Sequence, residues 1–122
     1  MKVMIIEDNK LNSRLTQKVL ESAGWEVQIY SNAEAALDKV NIAQPDIILI
    51  DLQLPGISGY DFARQIRRFE RFASIPIIAV SANVREEDKS NASDSGCDGF
   101  IEKPINTRTL VQQIEEILGN KS

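Results

Sequence analysis

The chain has 122 residues, 43% of them hydrophobic and 26% charged, which fits one folded domain and excludes a disordered chain. Its 18 acidic against 14 basic residues give a net charge of −4, which argues against a general nucleic-acid surface. With no histidine and a single cysteine, it excludes His-based acid–base catalysis, Ser-His-Asp and Cys-His pairs, most zinc sites and any internal disulfide.

Met1 leads straight into KVMIIEDN, too short an apolar run for a signal peptide or a membrane span; with one cysteine, a cytoplasmic compartment is the expectation. Val3 to Ile6 are continuously apolar, as a strand buried on both faces of a parallel sheet requires. The strand ends at Glu7 and Asp8, and Asp8 or Asn9 could cap the helix that follows. Leu11, Leu15 and Val19 recur at i, i+4, i+8 and predict its buried stripe, with Gly24 as the stop. WEVQIY alternates, Trp25, Val27 and Ile29 on one side, and so belongs near a sheet edge. Ser31 and Glu34 have capping-box spacing ahead of an apolar stripe of Ala33, Ala36, Leu37 and Val40.

Ile47 to Ile50 form the second uninterrupted run and end at Asp51, a carboxylate that either caps a turn before Pro55 and Gly56 or serves a site. Phe62, Ala63, Ile66 and Phe69 predict a third helix. Its basic cluster, Arg64, Arg67, Arg68 and Arg71, reads as a solvated face, with a docking surface for an acidic partner as the alternative. Ile77 to Val80 form the third buried run, ending at Ser81. Residues 85–95 are polar except for Ala92, so this segment is either a solvated loop or a weakly packed helix kept loose because it moves. Cys97 reads as a small core residue. DGFIEK supplies the last strand, ending at Glu102 and Lys103 before Pro104, and Leu110, Val111, Ile114, Ile117 and Leu118 trace the last helix.

Five strands alternating with five helices predict an α/β fold with a parallel sheet, and right-handed crossovers put helices on both faces. Ligands of such open sheets bind beyond the C-terminal strand ends. Glu7, Asp8, Asp51, Ser81 and Lys103 all stand at those ends, on one rim. Each has a local explanation as a cap, a turn residue or a surface charge. Together, three carboxylates against one lysine repel unless a cation joins them. Hard carboxylate oxygens without His or Cys point to Mg²⁺. A carboxylate nucleophile beside a cation and a lysine suits phosphoryl transfer.

In IIEDN, DLQLPGISGYD, VSA and GCDGFIEKPI, and in their spacing, the chain from Lys2 to Gly119 resembles the receiver domain of two-component response regulators. EDN and GCDGFIEKPI look most like single-domain regulators of the cell-cycle type or receivers of hybrid kinases. The resemblance implies one receiver domain over residues 1–122, flavodoxin-like and doubly wound, with five parallel strands in the order 2-1-3-4-5 and five helices. It implies Asp51 as the phosphoacceptor, supplied by a histidine kinase or a histidine phosphotransfer protein, or by acetyl phosphate. Mg²⁺ (or Mn²⁺) is expected on Asp8, Asp51 and the backbone carbonyl of Gln53, with Glu7 reaching it through water. Ser81, the Ala82 backbone amide and Lys103 are expected to hold the phosphoryl group. Phe100 is expected to turn inward as Ser81 moves, and Pro104 to follow a cis bond. A switched face, built from residues 85–95, the Phe100 strand and the last helix, would then engage a downstream protein, with neither nucleic acid nor membrane as a direct partner.

Some positions depart from the commonest receiver pattern. Glu7 stands where Asp is more usual and reaches one methylene further, and Phe100 lacks a tyrosine hydroxyl. Gln53 and Asn83 are expected to flank the path of a hydrolytic water and so to tune the lifetime of the phosphorylated state. A true hydrolase with an Asp nucleophile typically carries a second Asp where Gln53 stands. A nucleotide or flavin site lacks its Gly-rich loop, since EDNKLN follows the first strand. The chain is thus expected to be a phosphoacceptor rather than an enzyme in the ordinary sense. Two alternatives stay open: a receiver cut from a larger protein, and a receiver-like module acting without phosphorylation. The Met1 start favours a lone receiver.

Overall fold

A computed structural model describes residues 1–120. The chain alternates strands and helices: β1 (Lys2–Ile6), α1 (Lys10–Ser22), β2 (Glu26–Tyr30), α2 (Ala33–Ala43), β3 (Ile47–Asp51), α3 (Gly59–Arg68), a short 3-10 helix (Glu70–Phe72), β4 (Ile77–Ser81), α4 (Glu86–Ser95), β5 (Gly99–Glu102) and α5 (Leu110–Asn120). The strands form one parallel sheet in the order β2-β1-β3-β4-β5. This is the flavodoxin-like arrangement expected from the sequence.

The apolar runs work as buried parallel strands should, because successive side chains point to opposite faces. Met4, Ile6, Ile48, Ile50, Ile77 and Ala79 enter one core with Ala36 and Val40 of α2, Phe62 and Ile66 of α3, and Ala92 of α4. Val3, Ile5, Ile47, Leu49, Ile78 and Val80 enter the other, with Leu20 of α1 and Leu110 and Ile114 of α5. Every residue of β3 and β4 is buried, and the half-exposed β2 lies at the edge as its alternating pattern predicted.

Four local expectations need correction. Leu11 and Leu15 do not form the buried stripe of α1: they are 78% and 42% exposed, and Ser13, Thr16 and Leu20 face inward. The buried hydroxyls leave no orphan, because Ser13 Oγ donates to the Lys10 carbonyl and Thr16 Oγ1 to the Asn12 carbonyl. The centre of the buried face is therefore about 130° round the helix from that of the apolar stripe. The capping box at Ser31 does not form either. Asn32 is the N-cap of α2, accepting from the Ala35 amide at 2.7 Å, and Glu34 turns away to Ile57.

Phe69 lies past the end of α3 and is 38% exposed. Arg67 is not part of a solvated face. Its guanidinium donates to the carbonyls of Gly96, Phe72 and Ile75 and to Asp98 Oδ2, tying α3 to the segments before β4 and β5.

Residues 86–95, left open between loop and helix, are helical. Ala92 is the one hydrophobe that α4 buries, and its N-cap Arg85 offers no side-chain cap. Cys97 is buried as expected, and burial pushes its thiol up to about 12. Among the described residues no helix is long and apolar enough to cross a membrane.

Candidate functional site

The sheet order places the chemistry. The chain reverses direction across the sheet between β1 and β3, and the register pairs Ile6 with Ile50. The residues leaving those two strands, Glu7 and Asp8 on one side and Asp51 on the other, therefore meet at the switch point. Each of these carboxylates offers an oxygen within 4.8 Å of the others, the only such cluster of potential ligands among the described residues. β4 brings Ser81 to the same rim, one residue beyond Val80, the register partner of Asp51. The chain after β5 brings Lys103, whose amide donates to the Ser81 carbonyl at 2.9 Å. The Lys103–Pro104 peptide is cis.

The side chains are held individually. Asn9 caps α1 by accepting from the Asn12 amide, which leaves Asp8 uncommitted and exposed at the rim. Asp51, 6% exposed, accepts the Gln53 amide at Oδ1 (2.9 Å) and Lys103 Nζ at Oδ2 (3.0 Å). It is thus both a turn residue and a member of the cluster. Glu7 accepts the Asn9 amide at Oε2 and lies 2.6 Å from Lys103 Nζ through Oε1. Burial pushes the Glu7 pKa above the usual carboxylate range. Lys103 opposes that shift, and Asp51 adds to it. Burial acts to lower the Lys103 pKa, but its bonds to Glu7 and Asp51 outweigh that and raise it, so the ammonium stays charged.

Three carboxylates with one ammonium leave the pocket short of positive charge, the condition under which a cation is favoured. The donors are hard oxygens, two of the three largely buried, which suits Mg²⁺ and not a thiolate- or imidazole-seeking metal. Gln53 is exposed at the head of the β3–α3 loop, next to Asp51.

Not every predicted residue points into the pocket. The Ser81 hydroxyl, 1% exposed, accepts the Asn83 amide at 3.0 Å, the local role that its strand-end position allowed. Ala82 and Asn83 are exposed on the loop beyond it. Phe100 lies apart from the carboxylates, half-buried between the core under α4 and a cleft of about 340 Å³ that Val84, Lys89, Gln113 and Ile117 also line. Sequence reasoning missed Gly59. A β-carbon there would lie 2.7 Å from the Asp51 carbonyl oxygen and 2.8 Å from Leu52 Cα, so only glycine lets α3 start against the end of β3. Its place in SGYD, after the strand-end acid, was the available signal.

Comparison with known proteins identifies the family and the fold. Residues 3–115 match the response regulator receiver domain family. The chain is 36% identical over 118 residues to the polar-differentiation response regulator DivK of Brucella anthropi, covering 97% of this chain and 96% of that protein. DivK of Brucella ovis matches with the same identity and coverage. Among solved structures, the chemotaxis protein CheY4 of Vibrio cholerae superposes with a TM-score of 0.91 at 26% identity, over 95% of this chain and 97% of that one. The receiver domain of a sensor histidine kinase from Pseudomonas aeruginosa, solved with a magnesium ion coordinated in its active-site cleft, superposes with a TM-score of 0.87. It is 28% identical, over 98% of each chain.

Proposed function

The chain belongs to the response regulator receiver domain family, and from that premise we propose that it is a phosphorelay switch whose phosphoacceptor is Asp51. The observation that carries this reading is the Lys103 ammonium bonded to Asp51 and Glu7 at the rim where Asp8 also stands. An Asp51 carboxylate oxygen forms the new O–P bond, and the P–N bond of a partner's phosphohistidine breaks, its electron pair leaving with the imidazole. The chain has no histidine, so a histidine donor must come from a histidine kinase or a phosphotransfer protein.

Asp8, Asp51 and the Gln53 carbonyl are the residues that would hold Mg²⁺, with Glu7 reaching it through water. Bound there, the ion supplies charge stabilisation to the phosphoryl oxygens. Lys103 pairs with one of those oxygens and gives up part of its bond to Asp51. Ser81 releases the Asn83 amide and donates its hydroxyl to the phosphoryl group, which the Ala82 amide also faces. Only the conformation with Ser81 closed on the phosphoryl group makes that contact, so phosphorylation shifts the population toward that conformation. The exposed amide side chains of Gln53 and Asn83 border the approach of water and set the lifetime of the acyl phosphate. Phe100, α4 and the cleft on the β5–α5 side form the face that changes and is read by a downstream protein.

Incubation with Mg²⁺ and acetyl phosphate should add one phosphoryl mass to the wild type and none to Asp51→Asn, measured by intact-mass spectrometry. Undiminished labelling of Asp51→Asn would overturn the assignment, as would a wild type that neither this donor nor a panel of histidine kinases modifies.

A further inference from the structure

The β3–α3 loop carries Gln53, yet little holds its middle. Asp51 Oδ1 fixes the Gln53 amide at one end, and at the other Ser58 caps α3 through the Asp61 amide. Leu54 is buried between them. Among the described residues, the one hydrogen bond that reaches residues 53–57 from outside the loop and Asp51 comes from Glu34, 23 residues earlier in the chain, whose Oε1 accepts the Ile57 amide at 3.0 Å. Gly56 makes room for that carboxylate. It has φ +77°, and a β-carbon there would come within 2.6 Å of the same oxygen. Glu34 is itself placed by the Asn32 cap, in the first turn of α2, where the helix amides favour an anion. The Ile57 bond first, and then its own amide, hold the Glu34 carboxyl below the usual carboxylate range.

We infer that Glu34 is a positioning residue of the phosphoryl-transfer site: its carboxylate clamps the β3–α3 loop and so keeps the Gln53 carbonyl in place as a metal ligand. The inference rests on the reading of Asp51, Asp8 and Gln53 as the Mg²⁺ site. Glu34 touches neither the ion nor the phosphoryl group. Its bond reaches Ile57, four residues from Gln53, so it acts on the ligand through the loop. Loss of a partner bonded directly to a ligand weakens metal binding about 10- to 100-fold, and the low end of that range is the scale expected here.

The test uses the full chain and Mg²⁺ alone as the probe, titrated by calorimetry into wild type, Glu34→Ala and Glu34→Gln. Glu34→Ala should bind Mg²⁺ about 10-fold more weakly. Its Ile57 amide should exchange faster, while the unfolding temperature of the metal-free protein stays close to wild type. Phosphorylation by acetyl phosphate should fall at limiting Mg²⁺ and recover at saturating Mg²⁺. Glu34→Gln keeps an acceptor oxygen and should restore most of the affinity. If Glu34→Ala does not fold, Glu34→Asp, which withdraws the acceptor by one methylene, takes its place. Wild-type affinity in Glu34→Ala would overturn the inference. So would equal losses in Ala and Gln, which would assign the effect to charge, or a loss of affinity with Ile57 still protected. In those cases wild type would still be labelled on Asp51 and the functional reading would stand. A wild type that binds no Mg²⁺ would remove both.

Discussion

Glu7 holds its carboxylate 2.6 Å from an ammonium, yet its pKa lies above the usual range. Burial costs the ionised form more than Lys103 returns, because the same ammonium also serves Asp51, and the two carboxylates repel. A carboxyl whose folded pKa is raised contributes stability that is complete below its unfolded value and is lost as pH rises through the folded one. The metal-free wild type should therefore lose stability relative to Glu7→Gln as pH rises from about 4, the unperturbed Glu value, through the raised folded value. Chemical denaturation of both proteins across that window checks it. A wild type that gains on the variant with rising pH would show that Lys103 outweighs burial. At the same scale, Cys97 is a small buried residue as the sequence suggested, and burial raises its thiol to about 12.

The helices that precede and follow β4 are unequally built. α3 buries Phe62, Ala63 and Ile66, and Arg67 pins its end to three carbonyls and Asp98. α4 buries one hydrophobe, Ala92, and starts at a residue that gives it no side-chain cap. Its C-terminal end is the better held, since Gly96 turns with φ 109° and its carbonyl accepts twice from Arg67. Amides of α4 should therefore exchange with solvent well before those of α3. Addition of beryllofluoride with Mg²⁺, as a phosphoryl mimic, should change protection in α4 and around Phe100 while α3 stays as it was. Equal exchange in the two helices, or no response in α4, would separate the switch from this element.

Over the whole molecule, a sheet with a core on each face serves as a rigid frame for a rim that is short of positive charge. A ligand that binds only the folded state stabilises it in proportion to its occupancy. Mg²⁺ at about ten times its dissociation constant should add about 1.4 kcal/mol to the unfolding free energy. Asp8→Asn should lose most of that gain, since Asp8 is the carboxylate that neither Lys103 nor a cap engages. Thermal unfolding with and without Mg²⁺ measures both. An equal gain in the variant would move the ion away from Asp8.

What the sequence determined by itself was the set of strands and the rim on which their ends meet. Uninterrupted apolar runs specify strands buried on both faces, and a parallel sheet brings their ends to one rim. Glu7, Asp8, Asp51, Ser81 and Lys103 could therefore be grouped before any coordinates, and the structure brings the three acids and the lysine into contact range. What the tertiary structure alone decided depends on partners far apart in sequence. Lys103 meets Asp51 across 52 residues, Arg67 meets Gly96 across 29, and Glu34 meets Ile57 across 23. Leu11 and Leu15 traced a face that the sheet does not cover; Ser13 and Thr16 are buried instead, their hydroxyls satisfied by carbonyls of their own helix. Arg67 looked like a surface charge until its carbonyl partners were in place. Local periodicity encodes which elements form, and packing between distant elements decides which face is covered and what each polar side chain holds.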